Sequence, residues 1–344
     1  MLNNPPQSPF RKGGNVYLLL FFSFIFILSP SSSQPSNLFK YHQVAMGTVI
    51  EITLISDDEE AANKAALRAF QEIKRIETLM SPWIDSSDVT RINRFAGKER
   101  VKVSTETMEV IKKAQEISEL SEGGLDITIG PLTELWRMAR EKKIPPSIDE
   151  VRGKLDLVNF KNIGIDPEGK IFLQNRGMAI DLGGIAKGYA VDRAFELLKS
   201  HGYKNLIVNA GGDLRVGGLK NKQPWSIGIQ NPRESQKILA RISVLDTAIA
   251  TSVDYEKYFI YHGKRYHHIF NPKDGFPTEG SQSVTIIAKD CITADGLATT
   301  VFVLSAEKGY SLCQKLEGVD CIIVDKEGKT IFSPGLKDRI SFGP

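Results

Sequence analysis

Cysteine and histidine are scarce in this sequence, which has three cysteines and five histidines among its 344 residues. The cysteines are too few and too widely spaced for a disulfide framework or a zinc ribbon. An excess of one charge is also missing, since 44 Lys and Arg residues face 41 Asp and Glu residues, for a formal net charge of +3. Proteins that bind nucleic acids normally carry a clustered basic surface, so we expect no nucleic-acid partner.

Strong compositional bias is absent as well. Hydrophobic residues make up 41% of the chain and charged residues 25%, which argues against a disordered, collagen-like or multi-span membrane protein. The length allows one large domain or two ordinary ones. Because we find no internal repeat and no linker that divides the chain after its N-terminal segment, we predict a single compact unit over residues 41–344.

One apolar run near the N-terminus departs from this composition. Arg11 and Lys12 precede an apolar segment at 16–28, and small residues follow at 31–33. This order is typical of a secretory signal peptide, and the apolar segment is shorter than the roughly 20 residues that a spanning helix needs. We predict a signal peptide at 1–33, with an uncleaved membrane anchor as the alternative, and a short linker at 34–40. No cysteine follows the apolar segment closely, so a lipid-modified N-terminal cysteine is not expected.

The remaining sequence mixes helical and strand patterns. Residues 49–54 alternate and are rich in β-branched side chains, which predicts a strand. Apolar residues recur every three or four positions over 62–80, which predicts a helix. Further helices are predicted at 105–120, 134–143, 189–200 and 295–304, and short strands follow one another from residue 155 onward. Strands in adjacent hairpins with helices between the groups favour an α+β fold, with a largely antiparallel mixed sheet flanked by helices.

The segment 181–190 (DLGGIAKGYA) has the highest density of residues that suit a ligand site. Glycines and a lysine at the start of a helix form a plausible phosphate cradle, because backbone N–H groups can then approach an anion. The segment matches neither a P-loop nor a dinucleotide fingerprint. A strand–turn–helix with glycines for close packing remains the alternative. The glycine-rich segment 209–213 (NAGGD) is on its own more typical of a turn.

Asp295 and Thr299 predict a different kind of site. Four residues apart on a predicted helix, they share one face and both offer oxygen atoms. A carboxylate and a hydroxyl suit Mg²⁺, which uses few protein oxygens and leaves other positions to phosphate and water. The alternative is an aspartate that complements the helix dipole beside a packed threonine. His268 precedes a turn containing Asn271 and Pro272, where catalytic groups often lie, although a lone histidine is more often structural.

In combination, these motifs become specific. Eight of them occur in one order along the chain: 46–48 (MGT), 80–83 (MSPW), 126–132 (DITIGPL), 181–188 (DLGGIAKG), 209–213 (NAGGD), 250–252 (ATS), 268–272 (HIFNP) and 294–299 (ADGLAT). This order closely resembles the ApbE family of flavin transferases, the FAD:protein FMN transferases, over about residues 40–335.

The resemblance implies an exported or surface-anchored enzyme, periplasmic or on the outer face of the cytoplasmic membrane. Membrane association through the N-terminus stays open, because the usual lipobox cysteine of the family is absent. The resemblance implies binding of FAD and Mg²⁺. It further implies transfer of the FMN half of FAD to a Thr or Ser hydroxyl of an acceptor flavoprotein, with release of AMP. Acceptors in the family are subunits of electron-transport or sodium-pumping complexes.

The resemblance also assigns site residues. Asp295 and Thr299 match the magnesium ligands, together with the backbone carbonyl of Gly184. His268 matches the histidine that takes the proton of the acceptor hydroxyl. The positions that match FAD contacts are Met46, Trp83, Gly124, Leu125, Asp126, Asp181, Lys187 and Phe270.

Two positions depart from the family pattern. Trp83 stands where a Tyr is frequent, which retains an aromatic face without the hydroxyl. Asn271 replaces the usual Asp beside Pro272, so one carboxylate is missing near His268. Two other functions therefore remain open at this point: an FAD pyrophosphatase that yields FMN and AMP, and a non-catalytic periplasmic protein that binds or delivers flavin.

Overall fold

The computed structural model describes residues 38–343. The predicted signal peptide, and the linker up to residue 37, lie outside the described residues. Within the described range no helix has the length and apolar character needed to cross a membrane.

The described residues form eight α-helices and sixteen β-strands. The helices are α1 (Glu59–Met80), α2 (Asp88–Arg94), α3 (Thr105–Leu120), α4 (Gly130–Lys142), α5 (Ile148–Leu155), α6 (Ala186–Ser200), α7 (Cys291–Val303) and α8 (Ala306–Lys315). The strands are β1 (Leu38–Ala45), β2 (Thr48–Ile55), β3 (Val101–Lys102), β4 (Ile163–Ile165), β5 (Lys170–Leu173), β6 (Leu206–Ala210), β7 (Asp213–Gly217), β8 (Trp225–Gln230), β9 (Ile238–Val244), β10 (Thr247–Val253), β11 (Phe259–Tyr261), β12 (Lys264–Tyr266), β13 (Ser281–Ala288), β14 (Asp320–Asp325), β15 (Thr330–Phe332) and β16 (Ile340–Phe342).

An eight-stranded sheet is the centre of the fold. Its strand order is β1-β2-β6-β7-β10-β13-β14-β15, and every neighbouring pair is antiparallel. Smaller sheets are formed by β16-β9-β8, by β3-β5-β4 and by β11-β12. One isolated parallel bridge joins Ile129 to Ala179. The prediction of an α+β fold with a largely antiparallel sheet is confirmed.

Both faces of the large sheet are covered. On one face, α1, α6 and α7 bury the largest apolar cluster against side chains such as Leu206 and Val208. On the other face, the sheet β16-β9-β8 buries a second cluster around Ile207 and Trp225. Successive residues of β6 therefore point into different cores, as the period of two in a strand requires. A third, smaller cluster surrounds Trp136 on α4.

The predicted linker was wrong for residues 38–40. Leu38, Phe39 and Lys40 belong to β1 and pair with Ile55, Leu54 and Thr53 of β2. β1 is an edge strand, and among its residues only Ala45 is buried. Because most of its side chains reach solvent, the strand lacks the alternation of apolar and polar residues that would have revealed it.

Three helices begin earlier than predicted. α4 begins at Gly130, α6 at Ala186 and α7 at Cys291, three to four residues before the expected positions. Their first turns contain glycine, proline or threonine, which weaken a helical pattern in the sequence. The earlier start of α7 places Asp295 in the second turn of the helix, where it is 3% exposed. Asp290 is instead the N-cap and accepts a hydrogen bond from the Thr293 N–H.

Candidate active site

The candidate site forms where α6 and α7 cross closely. Gly188 of α6 makes the approach possible, since a Cβ there would lie 2.2 Å from the carbonyl oxygen of Cys291 and 2.8 Å from the Cβ of Asp295. The Gly188 N–H donates a hydrogen bond of 2.9 Å to Asp295 Oδ2. For Gly188, close packing explains the glycine, in agreement with the alternative left open by the sequence.

The three predicted magnesium ligands come together at this crossing. Thr299, one turn after Asp295 on α7, donates a hydrogen bond of 3.2 Å to the carbonyl oxygen of Gly184. Gly184 lies in the turn before α6, and a Cβ there would be 3.1 Å from the side chain of Thr299. The Gly184 carbonyl thus lies in the turn before α6, and the Thr299 hydroxyl and the Asp295 carboxylate lie on α7. Glycines let these two segments pack closely.

Lys187 and Asp213 complete a buried charged cluster with Asp295. The Lys187 ammonium forms an ion pair with Asp213 and lies 3.9 Å from Asp295 Oδ1. Burial alone would lower the pKa of Lys187, but the two carboxylates raise it above its ordinary value. Asp213 is 1% exposed and follows the turn at Gly211 and Gly212 that joins β6 to β7. The segment 209–213 is therefore a turn that also contributes a charged group to the site.

This cluster has one more carboxylate than it has ammonium groups. Burial and then the neighbouring carboxylate of Asp213 together raise the pKa of Asp295 to about 7, against the effect of Lys187. A divalent cation would neutralise the excess negative charge, so the donor set fits Mg²⁺, which accepts carboxylate, hydroxyl and carbonyl oxygens. Residues 38–343 contain no cluster of three or more His, Cys, Asp or Glu side chains that could hold a metal ion.

His268 lies near this cluster with one ring nitrogen unsatisfied. Its Nδ1 is buried and has no hydrogen-bond partner, which is uncommon for a buried polar atom and marks a candidate functional group. Burial, followed by the positive charges of Lys257, Lys187 and Arg140, holds the pKa of His268 well below its ordinary value. The ring is therefore neutral near pH 7.

The adjacent histidine has a structural role instead. His267 Nε2 lies 2.7 Å from the carbonyl oxygen of Thr278, and its Nδ1 accepts a hydrogen bond of 3.2 Å from the Ile269 N–H. With Nδ1 as an acceptor, Nε2 carries the proton and donates to Thr278. These two bonds fix the loop that carries His268.

Lys257 and Arg140 add positive charge in the surroundings of His268. Neither has a carboxylate within 4 Å among the residues that the structure describes, yet both influence His268. The Lys257 side chain reaches solvent. The protein around its ammonium still removes part of the hydration, and this desolvation, followed by the charge of Lys187, lowers the pKa of Lys257. Glu256 lines a cavity with Gly211 and Gly212, beside Asp213. Sequence analysis missed Lys257, Arg140 and Glu256 because no motif contains them.

Two predicted flavin contacts lie close to α1. Met46 has φ of 51° in the turn between β1 and β2, and its N–H donates a hydrogen bond of 2.9 Å to Glu77 Oε1. Trp83, just after α1, is 64% exposed, and the Arg137 guanidinium lies 5.3 Å from the centre of its ring. Trp83 therefore offers an accessible aromatic face for stacking.

Asp126 is tied into the fold by both of its oxygens. Oδ1 accepts hydrogen bonds from the Thr128 N–H at 2.8 Å and hydroxyl at 2.6 Å, and Oδ2 accepts one of 2.8 Å from the Phe160 N–H. Burial raises its pKa, and these hydrogen bonds lower it in part. Gly124 and Leu125, directly before it, are buried. The Gly124 and Leu125 N–H groups donate to Ser121 Oγ, so all three residues are held in place by contacts within the fold.

Of two further predicted FAD contacts, Asp181 is partly exposed and Phe270 is buried. Asp181 Oδ1 accepts a hydrogen bond of 2.8 Å from the Gly183 N–H, which shapes the turn before α6, and its charge acts on Lys257. Phe270 is buried in the third core, where its ring stacks on Trp136 with the ring centres 5.6 Å apart. Phe270 thus anchors the loop that carries His268 to α4.

Asn271 is occupied within its own turn. Its Nδ2 donates a hydrogen bond of 2.9 Å to Asp274 Oδ2, and its Oδ1 accepts one of 3.0 Å from the Lys273 N–H. The side chain therefore stabilises the turn after His268.

Comparison with known proteins identifies the family of the chain. The model of the ApbE family matches residues 46–323. An FAD:protein FMN transferase of Klebsiella pneumoniae is 33% identical over 312 residues, covering 90% of this chain and 95% of that protein. One from Vibrio cholerae is 34% identical over 276 residues, covering 78% of this chain and 82% of that protein.

Solved structures show the same fold. The ApbE protein of Thermotoga maritima superposes with a TM-score of 0.82 at 36% identity, covering 88% of this chain and 99% of that chain. The flavin transferase ApbE from Vibrio cholerae superposes with a TM-score of 0.78 at 31% identity, covering 89% of this chain and 100% of that chain. From the ordered motifs, the fold and these similarities, the chain belongs to the ApbE family and is a transferase.

Proposed function

We propose that this chain transfers the FMN moiety of FAD to a Thr or Ser hydroxyl of an acceptor flavoprotein, releases AMP and depends on Mg²⁺. The observation that carries the proposal is the convergence of Lys187, Asp213 and Asp295 at the α6–α7 crossing, where the charge of Lys187 also acts on a neutral His268. The names of the relatives support the flavin donor and the protein acceptor.

In this proposal Asp295, Thr299 and the Gly184 carbonyl hold the metal ion. Bound Mg²⁺ would neutralise negative charge on the pyrophosphate of FAD, which is the main requirement of phosphoryl-group chemistry. Lys187 is held in the same cluster and supplies a fixed positive charge. Lys257 and Arg140 have no carboxylate partner within 4 Å among residues 38–343, so they are available to the phosphate oxygens.

At the phosphorus of the FMN half, the reaction forms one P–O bond and breaks another. The acceptor hydroxyl oxygen bonds to the phosphorus of the FMN half, and the bond from that phosphorus to the bridging oxygen breaks, so that AMP leaves. His268 takes the proton of the hydroxyl. Its lowered pKa keeps the ring neutral and able to accept a proton near pH 7, although it is a weaker base than a free imidazole. Trp83 provides a stacking surface for the flavin ring.

Product analysis tests this function. The full chain is incubated with FAD, Mg²⁺ and a threonine-containing acceptor domain, and acceptor mass and AMP are followed together. We expect an acceptor mass gain of one FMN residue with one AMP released per label. AMP without labelled acceptor would show an FAD pyrophosphatase instead, and the absence of both products would contradict the proposal.

His268 has its own test in the same assay. We expect His268→Gln to retain FAD binding and to slow transfer in a single turnover by about 10²–10⁴-fold, the usual contribution of a general base. An unchanged single-turnover rate would remove His268 from this role.

We further propose that the chain acts outside the cytoplasm, with acceptors in electron-transport or sodium-pumping complexes. The support for the location is the basic flank and apolar segment of residues 11–28. Fractionation of cells that express the full chain tests the location. Recovery in the cytoplasm with an intact N-terminus would contradict it.

A further inference from the structure

A buried carboxylate of α6 bonds to the first residues of α7, at a place that the proposed reaction does not use. Asp192 is 8% exposed. Its Oδ1 accepts a hydrogen bond of 2.9 Å from the Cys291 N–H, and its Oδ2 accepts one of 2.9 Å from the Ile292 N–H. The N–H groups of the first helical residues have no acceptor within their own helix. Asp192 therefore caps the start of α7 from a neighbouring helix.

An arginine of β7 holds the Asp192 carboxylate in place. The Arg215 guanidinium donates a hydrogen bond of 2.9 Å to Asp192 Oδ1, and its other terminal nitrogen lies 2.8 Å from Glu196 Oε1. A buried carboxylate needs such a partner, because an unpaired buried charge is strongly destabilising. The carboxylate thus has a fixed position on α6 from which it bonds to α7.

The contacts between the α6 segment and α7 follow one register. Each step of four residues forward from the turn before α6 is matched by a step of four residues back along α7. The bonded pairs are Gly184–Thr299, Gly188–Asp295 and Asp192–Cys291. The two helices therefore run antiparallel at the crossing, with these contacts about one turn apart. Of the three contacts, only that of Asp192 involves no proposed metal ligand.

We propose that Asp192 is a positioning residue, which sets the register of α7 against α6 and so places Asp295 and Thr299 opposite the Gly184 carbonyl. This inference rests on the metal site of the proposed function. The physical reason is the precision of the cap. A hydrogen bond tolerates a change of only a few tenths of an ångström in length, whereas a shift of α7 by one residue moves it by about 1.5 Å. Two bonds to neighbouring N–H groups therefore fit one register.

Asp192→Asn tests the proposal, with Asp88→Asn as the matched control. Asparagine keeps one acceptor oxygen but presents an amide donor to the second N–H of α7, so one bond of the cap is lost. Asp88 of α2 is 5% exposed, and it accepts hydrogen bonds of 2.8 Å and 2.6 Å from the N–H and hydroxyl of Ser104, directly before α3. Loss of the Asp88 charge should lower stability without breaking a bond between α6 and α7.

Two measurements on the full chain separate positioning from general stability. In the metal-free protein, hydrogen exchange of the Gly188 N–H reports the crossing, because this group bonds to Asp295. We expect its protection factor to fall by at least about 10-fold in Asp192→Asn and by less than about 2-fold in Asp88→Asn. In calorimetric titration with Mg²⁺ alone, we expect only Asp192→Asn to raise the Kd, by about 10–100-fold, the usual effect of losing a group that supports a metal ligand.

Unchanged Gly188 protection in Asp192→Asn would overturn the proposal, as would equal effects of the two variants on protection or on Mg²⁺ affinity. Wild type alone decides the question if Asp192→Asn fails to fold. If the cap sets the register, the Gly188 bond cannot outlast it, so Gly188 should exchange no more slowly than Cys291 and Ile292. Slower exchange at Gly188 than at both would overturn the proposal. Absence of Mg²⁺ binding by wild type would instead contradict the proposed function, and Gly188 exchange would still decide the register.

Discussion

At the residue scale, the charges of the site are arranged for a ligand rather than for stability alone. Asp213 and Asp295 are both buried, and Lys187 is the ammonium between them. A buried carboxylate without full compensation destabilises a fold. A cation bound here, as proposed, would relieve this imbalance and would gain affinity from it.

Lys187→Met tests this balance without relying on activity. The variant leaves two buried carboxylates close together, so we expect the metal-free protein to lose about 2–3 kcal/mol of unfolding free energy. This is below the 3–5 kcal/mol typical of breaking a fully buried pair, because the Lys187 side chain is 30% exposed. Mg²⁺ should then raise the Tm of the variant more than that of wild type. An equal effect of Mg²⁺ on both proteins would contradict this account of the cluster.

Lys257 offers a second test at this scale. Its positive charge acts on His268, and it has no carboxylate within 4 Å in the described part of the chain. We therefore expect Lys257→Met to raise the KM for FAD by about 10-fold, the effect of one charge-assisted hydrogen bond. Riboflavin, which has no phosphate, should bind the variant as it binds wild type. Lys264→Met is the matched control, since Lys264 pairs with Glu279 at the surface. Equal losses for FAD and riboflavin would assign Lys257 a structural role.

At the scale of elements, spacing along one helix was predictable and contact between elements was not. The four-residue spacing of Asp295 and Thr299 correctly predicted a shared face on α7. The motif that contains Asp213 predicted only a turn, because its partner Lys187 is 26 residues away in sequence. Lys257 and Arg140 come close enough to act on His268 only through the packing of α4 and the loop after β10, and local patterns carry no information about that packing. β1 was missed since an exposed edge strand needs no apolar alternation.

Glycine 188 tests the contact between α6 and α7. In Gly188→Ala the added Cβ would lie 2.2 Å from the Cys291 carbonyl oxygen, so the helices must separate. We expect a loss of more than about 2 kcal/mol of stability, as for an overpacked core, and weaker Mg²⁺ binding. Gly153→Ala is the matched control, because a Cβ on Gly153 of α5 meets no atom within 4 Å. It should be neutral or stabilising by up to about 1 kcal/mol. Similar effects of both substitutions would contradict the close-contact argument.

At the scale of the whole molecule, the chain has little net charge, and its stability depends on where charges are buried. The layers of helices, large sheet and small sheet leave His267 buried, at 6% exposure, in the loop that also carries His268. Burial lowers the pKa of His267, an effect that its bond to Thr278 offsets only in part. Below about pH 6.5 an unfolded histidine binds a proton that the folded one does not. Stability is therefore lost as the pH falls through that value.

His267→Gln isolates this contribution. We expect the advantage of wild type over the variant in unfolding free energy to shrink by up to about 1.4 kcal/mol between pH 7.5 and pH 5.5. Other titrating groups, including Asp295, cancel in the difference. Chemical denaturation of both proteins at the two pH values measures it. A difference that stays constant with pH would show that His267 has the same pKa in the folded and unfolded chain.

The central claim of this account is that the cluster at the α6–α7 crossing binds the metal ion that supports flavin transfer. The most direct measurement is acceptor labelling in a single turnover, as a function of free Mg²⁺, for wild type and Asp295→Asn. Asparagine keeps the acceptor for the Gly188 N–H and removes one charge, so the fold should be retained. We predict labelling by wild type that rises with Mg²⁺, and labelling by Asp295→Asn that is at least about 100-fold slower at the same Mg²⁺ concentration. Equal rates and equal Mg²⁺ dependence in the two proteins would contradict the claim.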